Sequence, residues 1–348
     1  MEARKNLLVM RLSAMGDVAM TVPVIASFLK AYPKMGVIML SSPRLSSLFE
    51  GMERVTFLPV DTKGTYKGLF GMVKLFKKIK KSYSFEKMID LHDVIRSKEV
   101  RTMVGMSGKK SYVINKGRKE KKRLVSSQDK DRRQLKTSVQ RYVEAFEEAG
   151  YPFALDFDGL MPKGGALPER IAEMIRTDKP HRIAIAPFAQ HAGKILPLEK
   201  TEQIVAHYAE RDDTQILLFG GGKAETETFN AWTAKYRNTL SMAGKFSLIE
   251  EIQVLNHCDV LLSMDSSNMH LASLVGTPVV SVWGATHPCA GFYGYGQDPS
   301  DAVQLDLPCR PCSIYGKKPC ARNDYACLNG ISNDMIISRL DKHIEKNR

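Results

Sequence analysis

Asp259-Val260-Leu261-Leu262-Ser263-Met264-Asp265-Ser266-Ser267-Asn268-Met269-His270-Leu271-Ala272-Ser273-Leu274-Val275-Gly276-Thr277-Pro278-Val279-Val280-Ser281-Val282-Trp283 is the stretch from which the fold is read. It is a continuous apolar run, a short polar loop, one helix, a glycine stop and a second apolar run. Apolar runs of this length, bounded by turn signals and alternating with a helix, predict buried parallel strands. In α/β sheets, ligands bind where strands end and helices begin, because free backbone N–H groups and the positive helix end converge there. Asp265, Ser266, Ser267, Asn268 and His270 crowd that place. The combination suits a phosphorylated, hydroxyl-rich ligand. A satisfied structural role for His270 is equally compatible with its place on the first helical turn.

The same alternation extends outward in two blocks. The first has strands at 7–12, 36–40, 55–60 and 87–91, and helices at 18–31, 44–49, 68–82, 94–103 and 137–149. Residues 151–180 read as a linker around one helix at 169–176, since Pro162, Gly164-Gly165, Pro168 and Pro180 punctuate it. The second block has strands at 182–187 and 215–219 and helices at 199–211, 224–235 and 248–257, ahead of the quoted stretch. A last helix spans 334–346. Two such blocks predict two doubly wound Rossmann-like domains facing a central cleft. The expected boundaries are 1–160 and 161–330, with residues 331–348 packing back on the first domain.

The 348 residues suffice for two cores. With 43% hydrophobic and 26% charged residues, the chain is globular. Residues 1–6 show no targeting pattern and no apolar run reaches a membrane span, so a cytoplasmic protein is expected. The net charge is +13, and residues 74–136 alone hold 21 Lys and Arg against 7 Asp and Glu. Such a block favours an anionic partner. Residues 115–136, low in apolar side chains, also fit a mobile solvated loop. Aromatic residues do not interleave with the charges over 113–141, which disfavours nucleic acid.

No Gly-x-Gly-x-x-Gly follows the first strand, and Gly222-Lys223-Ala224 lacks the spacing of a P-loop. Dinucleotide oxidoreductases and NTPases are disfavoured. Asp17 closes the first strand-to-helix loop, where a carboxylate either caps the helix or acts as a general base. Arg11 and Ser13 beside it suit an anionic ligand. Lys194, after Gly193, is placed to reach a phosphate, although a surface lysine is also compatible. Gly220, Gly221 and Gly222 end a strand where a base or ribose could lie against backbone. Glu225 could hold ribose hydroxyls or simply sit at a positive helix end. Cys309, Cys312, Cys320 and Cys327 admit a four-thiolate structural zinc site. Disulfides are disfavoured in reducing cytoplasm.

Taken together these residues resemble glycosyltransferase family 9, the lipopolysaccharide heptosyltransferases. The likeness rests on Arg11-Leu12-Ser13-Ala14-Met15-Gly16-Asp17-Val18 with Pro23, on Lys194-x-x-Pro197, and on residues 265–272 with Gly276, Pro278 and Trp283-Gly284-Ala285-Thr286. The late Cys309-Arg310-Pro311-Cys312 is similar to the second heptosyltransferase of the family. Ser267 departs from the glycine the family usually has there, and Ala189-Gln190 from its usual Thr/Ser pair.

The resemblance implies the GT-B architecture and an inverting sugar transfer, typically from ADP-heptose, to the lipopolysaccharide inner core. No cofactor is required and no metal serves the chemistry. It implies Asp17 as the base and Lys194 as the charge on the leaving diphosphate. Asp265, Ser266, Ser267 and His270 would form the donor site with Gly16, Gln190, Gly220, Gly221 and Glu225, and Arg11 and Ser13 would meet the acceptor. The expected partners are a nucleotide sugar, a lipid-anchored anionic glycan and the anionic cytoplasmic face of the inner membrane, where the enzyme would be peripheral. The same fold with another nucleotide-sugar donor, or a non-catalytic basic module, are the alternatives.

Overall fold

A computed structural model describes residues 5–128, 130–175 and 179–346. Residues 1–4, read above for a targeting signal, and Arg176, the end of an expected helix, lie outside these. In chain order the elements are β1 (Lys5–Met10), α1 (Met15–Ala19), α2 (Thr21–Ala31), β2 (Met35–Ser41), β3 (Val55–Pro59), α3 (Gly68–Ser82), β4 (Lys87–Asp90), α4 (Ile95–Met106), β5 (Ser111–Val113), α5 (Arg118–Leu124) and α6 (Ser138–Glu148). There follow α7 (Glu169–Ala172), β6 (His181–Ala186), α8 (Leu198–Ala209), β7 (Thr214–Leu218), α9 (Lys223–Lys235), β8 (Thr239–Ser241), α10 (Leu248–Asn256), β9 (Val260–Met264), α11 (Ser267–Ser273), β10 (Val279–Val282), β11 (Ala302–Val303), α12 (Ala326–Asn329) and α13 (Asn333–Lys346).

The chain divides into two compact units: Met1–Lys116 with Lys136–Asp158, and Gly117–Leu135 with Gly159–Arg348. Each is a parallel sheet, ordered β3-β2-β1-β4-β5 in the first and β11-β10-β9-β6-β7-β8 in the second. Strand order reverses between β1 and β4, and again between β6 and β9. These are the switch points at which doubly wound sheets take ligands. The strands are apolar along their whole length because helices cover both faces.

Three expectations are corrected. The first helix is two helices, because the α-bonding breaks at Met20 ahead of Pro23 in the first turn of α2. Residues 117–135 are not a solvated loop. They form α5 and a strap belonging to the second unit, with Leu124 and Leu135 packed on Cys289 and Ala290. Lys130 Nζ grips the Cys309 carbonyl at 2.8 Å, and Arg132 Nη1 meets Asp306 at 2.7 Å.

The third correction concerns α13. It packs within the second unit rather than on the first: Ile336, Leu340 and Ile344, spaced by four, are fully buried against β6, β9 and α8 side chains. Tyr208 Oη donates to Asp341 Oδ1 at 3.0 Å and fixes the helix rotation. Leu340→Ala should therefore destabilise the second unit by about 2–5 kcal/mol. Denaturant unfolding followed by Trp232 and Trp283 fluorescence, both tryptophans lying in this unit, checks it. An unchanged midpoint would place the helix elsewhere.

Candidate functional site

In the first unit the residues past β1 meet those past β4. The Leu12 N–H donates to His92 Nδ1 at 3.3 Å, across the switch point. Asp90, fully buried at the end of β4, accepts the N–H groups of His92 and Asp93 and so shapes this turn. Burial, then the neighbouring Arg11 guanidinium, pushes the His92 imidazole down to about 3. His92 is therefore neutral at physiological pH and free to accept at Nδ1.

Asp17 stands on the first turn of α1. Its Oδ2 accepts the Ala14 N–H at 3.2 Å and pairs with Arg11 Nη2 at 2.5 Å. The capping role and a chemical role are thus compatible in one carboxylate. Its side chain keeps 29% of its exposure, whereas that of Arg11 keeps 9%. Arg11 also donates to the Leu91 carbonyl at 2.7 Å and lies over the Tyr142 ring. The expectation that Arg11 meets an anionic acceptor gives way here. A guanidinium this buried, held between a carbonyl and Asp17, positions the carboxylate instead. Tyr142, on α6, donates its hydroxyl to the Asp17 carbonyl at 3.2 Å. Gly16 is buried within α1, and Ser13 is exposed beside Asp17.

In the second unit the ends of β6, β9 and β10 gather the other predicted residues. Asp265 follows β9 directly, and its N–H donates to the Val282 carbonyl at 3.2 Å. Its side chain is 6% exposed and pairs with Lys194 Nζ at 2.9 Å. A buried carboxylate without a partner would be strongly destabilising, so this pair fixes both loops. The Lys194 loop, a 3₁₀ turn over Ala192–Lys194, is clamped on two further sides. Ala285 N–H donates to the Gly193 carbonyl at 2.8 Å, and Leu196 N–H to Met264 Sδ at 3.3 Å.

Ser266 caps α11 in extended conformation, 3.2 Å from Ser263 Oγ. Ser267 opens the helix and His270 lies buried within it. Gln190 is exposed on the loop ahead of Lys194. At the end of β7, Glu225 reaches back so that Gly221 N–H donates to its Oε2 at 2.6 Å. A side chain at Gly220 would meet that oxygen at 2.5 Å and the Phe229 ring at 2.9 Å. The helix-end role of Glu225 is therefore realised in the structure.

The four cysteines do not form a metal-ligand set. Among the described residues no group of three or more His, Cys, Asp or Glu is placed to hold a metal. Cys312 Sγ turns to the Ala285 carbonyl, Cys320 Sγ to Asp324, and Cys327 is buried in the apolar core. The loop has another use. Gly316 lies on the Lys194 stem with φ of 75°, where a Cβ would meet Lys194 Cγ at 2.6 Å. Arg310, 2% exposed, gathers the carbonyls of Gly284, Trp283 and Thr286 at 2.5, 3.0 and 2.9 Å. Its importance is missed by sequence reasoning, which has no signal for where a buried arginine's carbonyl partners lie. The same holds for His92 and Tyr142.

Residues 72–319 match the model of glycosyltransferase family 9 (heptosyltransferase). The lipopolysaccharide core heptosyltransferase OpsX of Haemophilus influenzae is 24% identical over 298 residues, covering 82% of this chain and 81% of that protein. The crystal structure of a family 9 glycosyltransferase from Veillonella parvula superposes with a TM-score of 0.75 at 18% identity, over 99% of both chains. The E. coli heptosyltransferase WaaC with ADP-2-deoxy-2-fluoro heptose gives 0.66 at 17% identity, over 99% of this chain and 100% of that one. These likenesses establish the GT-B fold. With its two parallel-sheet units and charged pairs at their switch points, the chain is a glycosyltransferase and belongs to family 9, the heptosyltransferases.

Proposed function

We propose that this glycosyltransferase moves a heptose from ADP-heptose to the inner core of lipopolysaccharide, working as a peripheral protein at the cytoplasmic face of the inner membrane. The Lys194–Asp265 pair is the observation that carries the reading. It sets an ammonium and a carboxylate side by side at a strand end of a family 9 fold, where a sugar diphosphate needs both. OpsX is named a lipopolysaccharide core heptosyltransferase, and WaaC is described with an ADP-heptose analogue. Both lend support to the donor and acceptor classes.

In this mechanism the Asp17 carboxylate takes the proton of the acceptor hydroxyl as its oxygen attacks the anomeric carbon. The ADP leaves from the opposite side, so the configuration inverts in a single displacement. Lys194 balances the charge that builds on the departing diphosphate. Asp265 orients sugar hydroxyls, while Ser266, Ser267 and the first amides of α11 hold phosphate oxygens. Gln190, Gly220 and Gly221 line the nucleotide side, and Ser13 is the acceptor contact. Arg11 and Tyr142 keep the base in place.

Asp17→Asn should lower kcat by about 10²–10⁴-fold while donor affinity stays near that of the wild type. Near-normal turnover would remove Asp17 from the role of base. Lys194→Ala should weaken ADP binding as well as turnover, as titration calorimetry would read. In a thermal-shift series, ADP-heptose and ADP should raise the melting temperature above the effect of UDP- and GDP-sugars, by mass action on the folded state. A larger shift with UDP- or GDP-sugars would reassign the donor.

His92 gives a pH signature. Its folded value near 3 lies below the unfolded value near 6.5. Between these the unfolded chain binds more protons, so stability falls as pH drops from about 6.5 towards 3. His92→Asn should flatten this slope in pH-dependent denaturant melts. An unchanged slope would assign it to other groups.

A further inference from the structure

We propose that the N-terminal ends of α3 and α4 form the surface by which this protein docks on an anionic bilayer, with Phe70, Leu69 and Ile95 entering the interface. This deepens the membrane partner proposed above and rests on that reading for its purpose, though not for its geometry.

Residues 62–85 contain seven lysines and no acidic residue. The apolar face of α3 is spent on the core: Met72, Leu75 and Ile79 are fully buried against Val100 and Val104 of α4. Lys74, Lys77, Lys78, Lys80 and Lys81 occupy the exposed remainder, and none has an ion-pair partner among the described residues. A helix that only needed solubility would interleave acidic residues, as i,i+4 pairing favours. One-signed charge on an exposed face instead selects an anionic partner.

The apolar residues narrow the partner to a bilayer. Phe70 is 90% exposed, Ile95 77% and Leu69 57%. They stand at the starts of two adjacent helices. The connections β3-α3-β4 and β4-α4-β5 cross the sheet in the same direction, so both helices lie on one face and begin at the carboxyl edge of the strands. Exposed Lys63, Lys67, Arg96 and Lys98 flank them. Large apolar side chains rimmed by cations match the headgroup–acyl boundary, where rings insert and ammonium groups meet phosphates. A soluble polyanion would use the lysines and leave Phe70 without a purpose. No helix among the described residues is long and apolar enough to cross a membrane, so attachment here would be at the interface. Asp17 follows β1 at the same carboxyl edge. Docking through this edge would turn the proposed base towards the surface that carries a lipid-anchored acceptor.

The test is co-sedimentation of the full chain with vesicles of phosphatidylcholine alone and of phosphatidylcholine mixed with phosphatidylglycerol. The wild type should bind the mixed vesicles and release from them as salt rises. Each cation near the surface contributes roughly fivefold to partitioning. Replacing Lys74, Lys77, Lys78 and Lys81 with Gln should therefore lower binding by about two orders of magnitude. The triple variant L69S/F70S/I95S alters exposed side chains only. It should lose at least about tenfold even at low salt, since interfacial binding scales with buried apolar area. Wild-type vesicle binding by that triple variant would overturn the proposal. So would heparin binding without vesicle binding, which would mark a polyanion site. Both variants should transfer sugar normally to a soluble, lipid-free acceptor fragment. Loss of that transfer in the wild type, with vesicle binding retained, would defeat the heptosyl reading and leave the docking surface standing.

Discussion

A carboxylate buried at a strand end must have a cation beside it, and in the second unit the Asp265–Lys194 pair meets that demand. Asp265 is 5% exposed, and removing its partner would leave a charge in a poorly solvated place at a cost of about 3–5 kcal/mol. Much else is arranged around keeping the pair. Gly193 and Met264 receive hydrogen bonds that hold the lysine loop to the strand ends. Gly316 lies on the lysine stem. Arg310, in the same late loop, ties down the turn after β10 by three carbonyls. The cysteine-bearing segment thus stabilises the lysine by packing.

The first unit uses the same device with the exposure reversed. There the cation is the buried partner and the carboxylate the open one: Arg11 keeps 9% of its side-chain exposure and Asp17 29%. In the second unit Lys194 keeps 16% and Asp265 6%. Each sheet therefore offers one charge outward and uses the other as its anchor. An open carboxylate is suited to accepting a proton, and an open ammonium to meeting a diphosphate. The assignment of base and of leaving-group charge then follows from which member of each pair is reachable, independently of which residue types are present.

The strands and long helices were legible because their signals are local. A run such as Val260–Met264 is apolar throughout, and Thr137 with Gln140 forms a capping box that starts α6 where the sequence suggests. β5, β8 and β11 were not legible. They are three, three and two residues long, too short to show a period. Asp17, Lys194 and Asp265 could be found because each sits at a strand-to-helix junction. The partners that define them could not. Arg11 binds a carbonyl 80 positions away, and such pairings depend on strand order, which no local pattern carries. The four cysteines misled for the same reason: thiol spacing along the chain says nothing of where the intervening loop turns.

The basic block over 74–136 is one feature in the sequence and two in the structure. Its later part is spent internally. Lys121, 8% exposed, lies 4.3 Å from the centre of the Phe292 ring, and Lys130 grips the backbone next to Cys309. These cations satisfy carbonyls and a ring, so their charge is largely unavailable to a partner. The earlier part, on α3, has its apolar side packed and its lysines left open. A net charge of +14 therefore overstates what a partner meets in one half and describes it well in the other. Composition cannot separate the two cases, because an arginine on a carbonyl and a lysine in water count equally. Burial can, and it confines the reachable excess to a helix whose first turn also exposes Leu69 and Phe70.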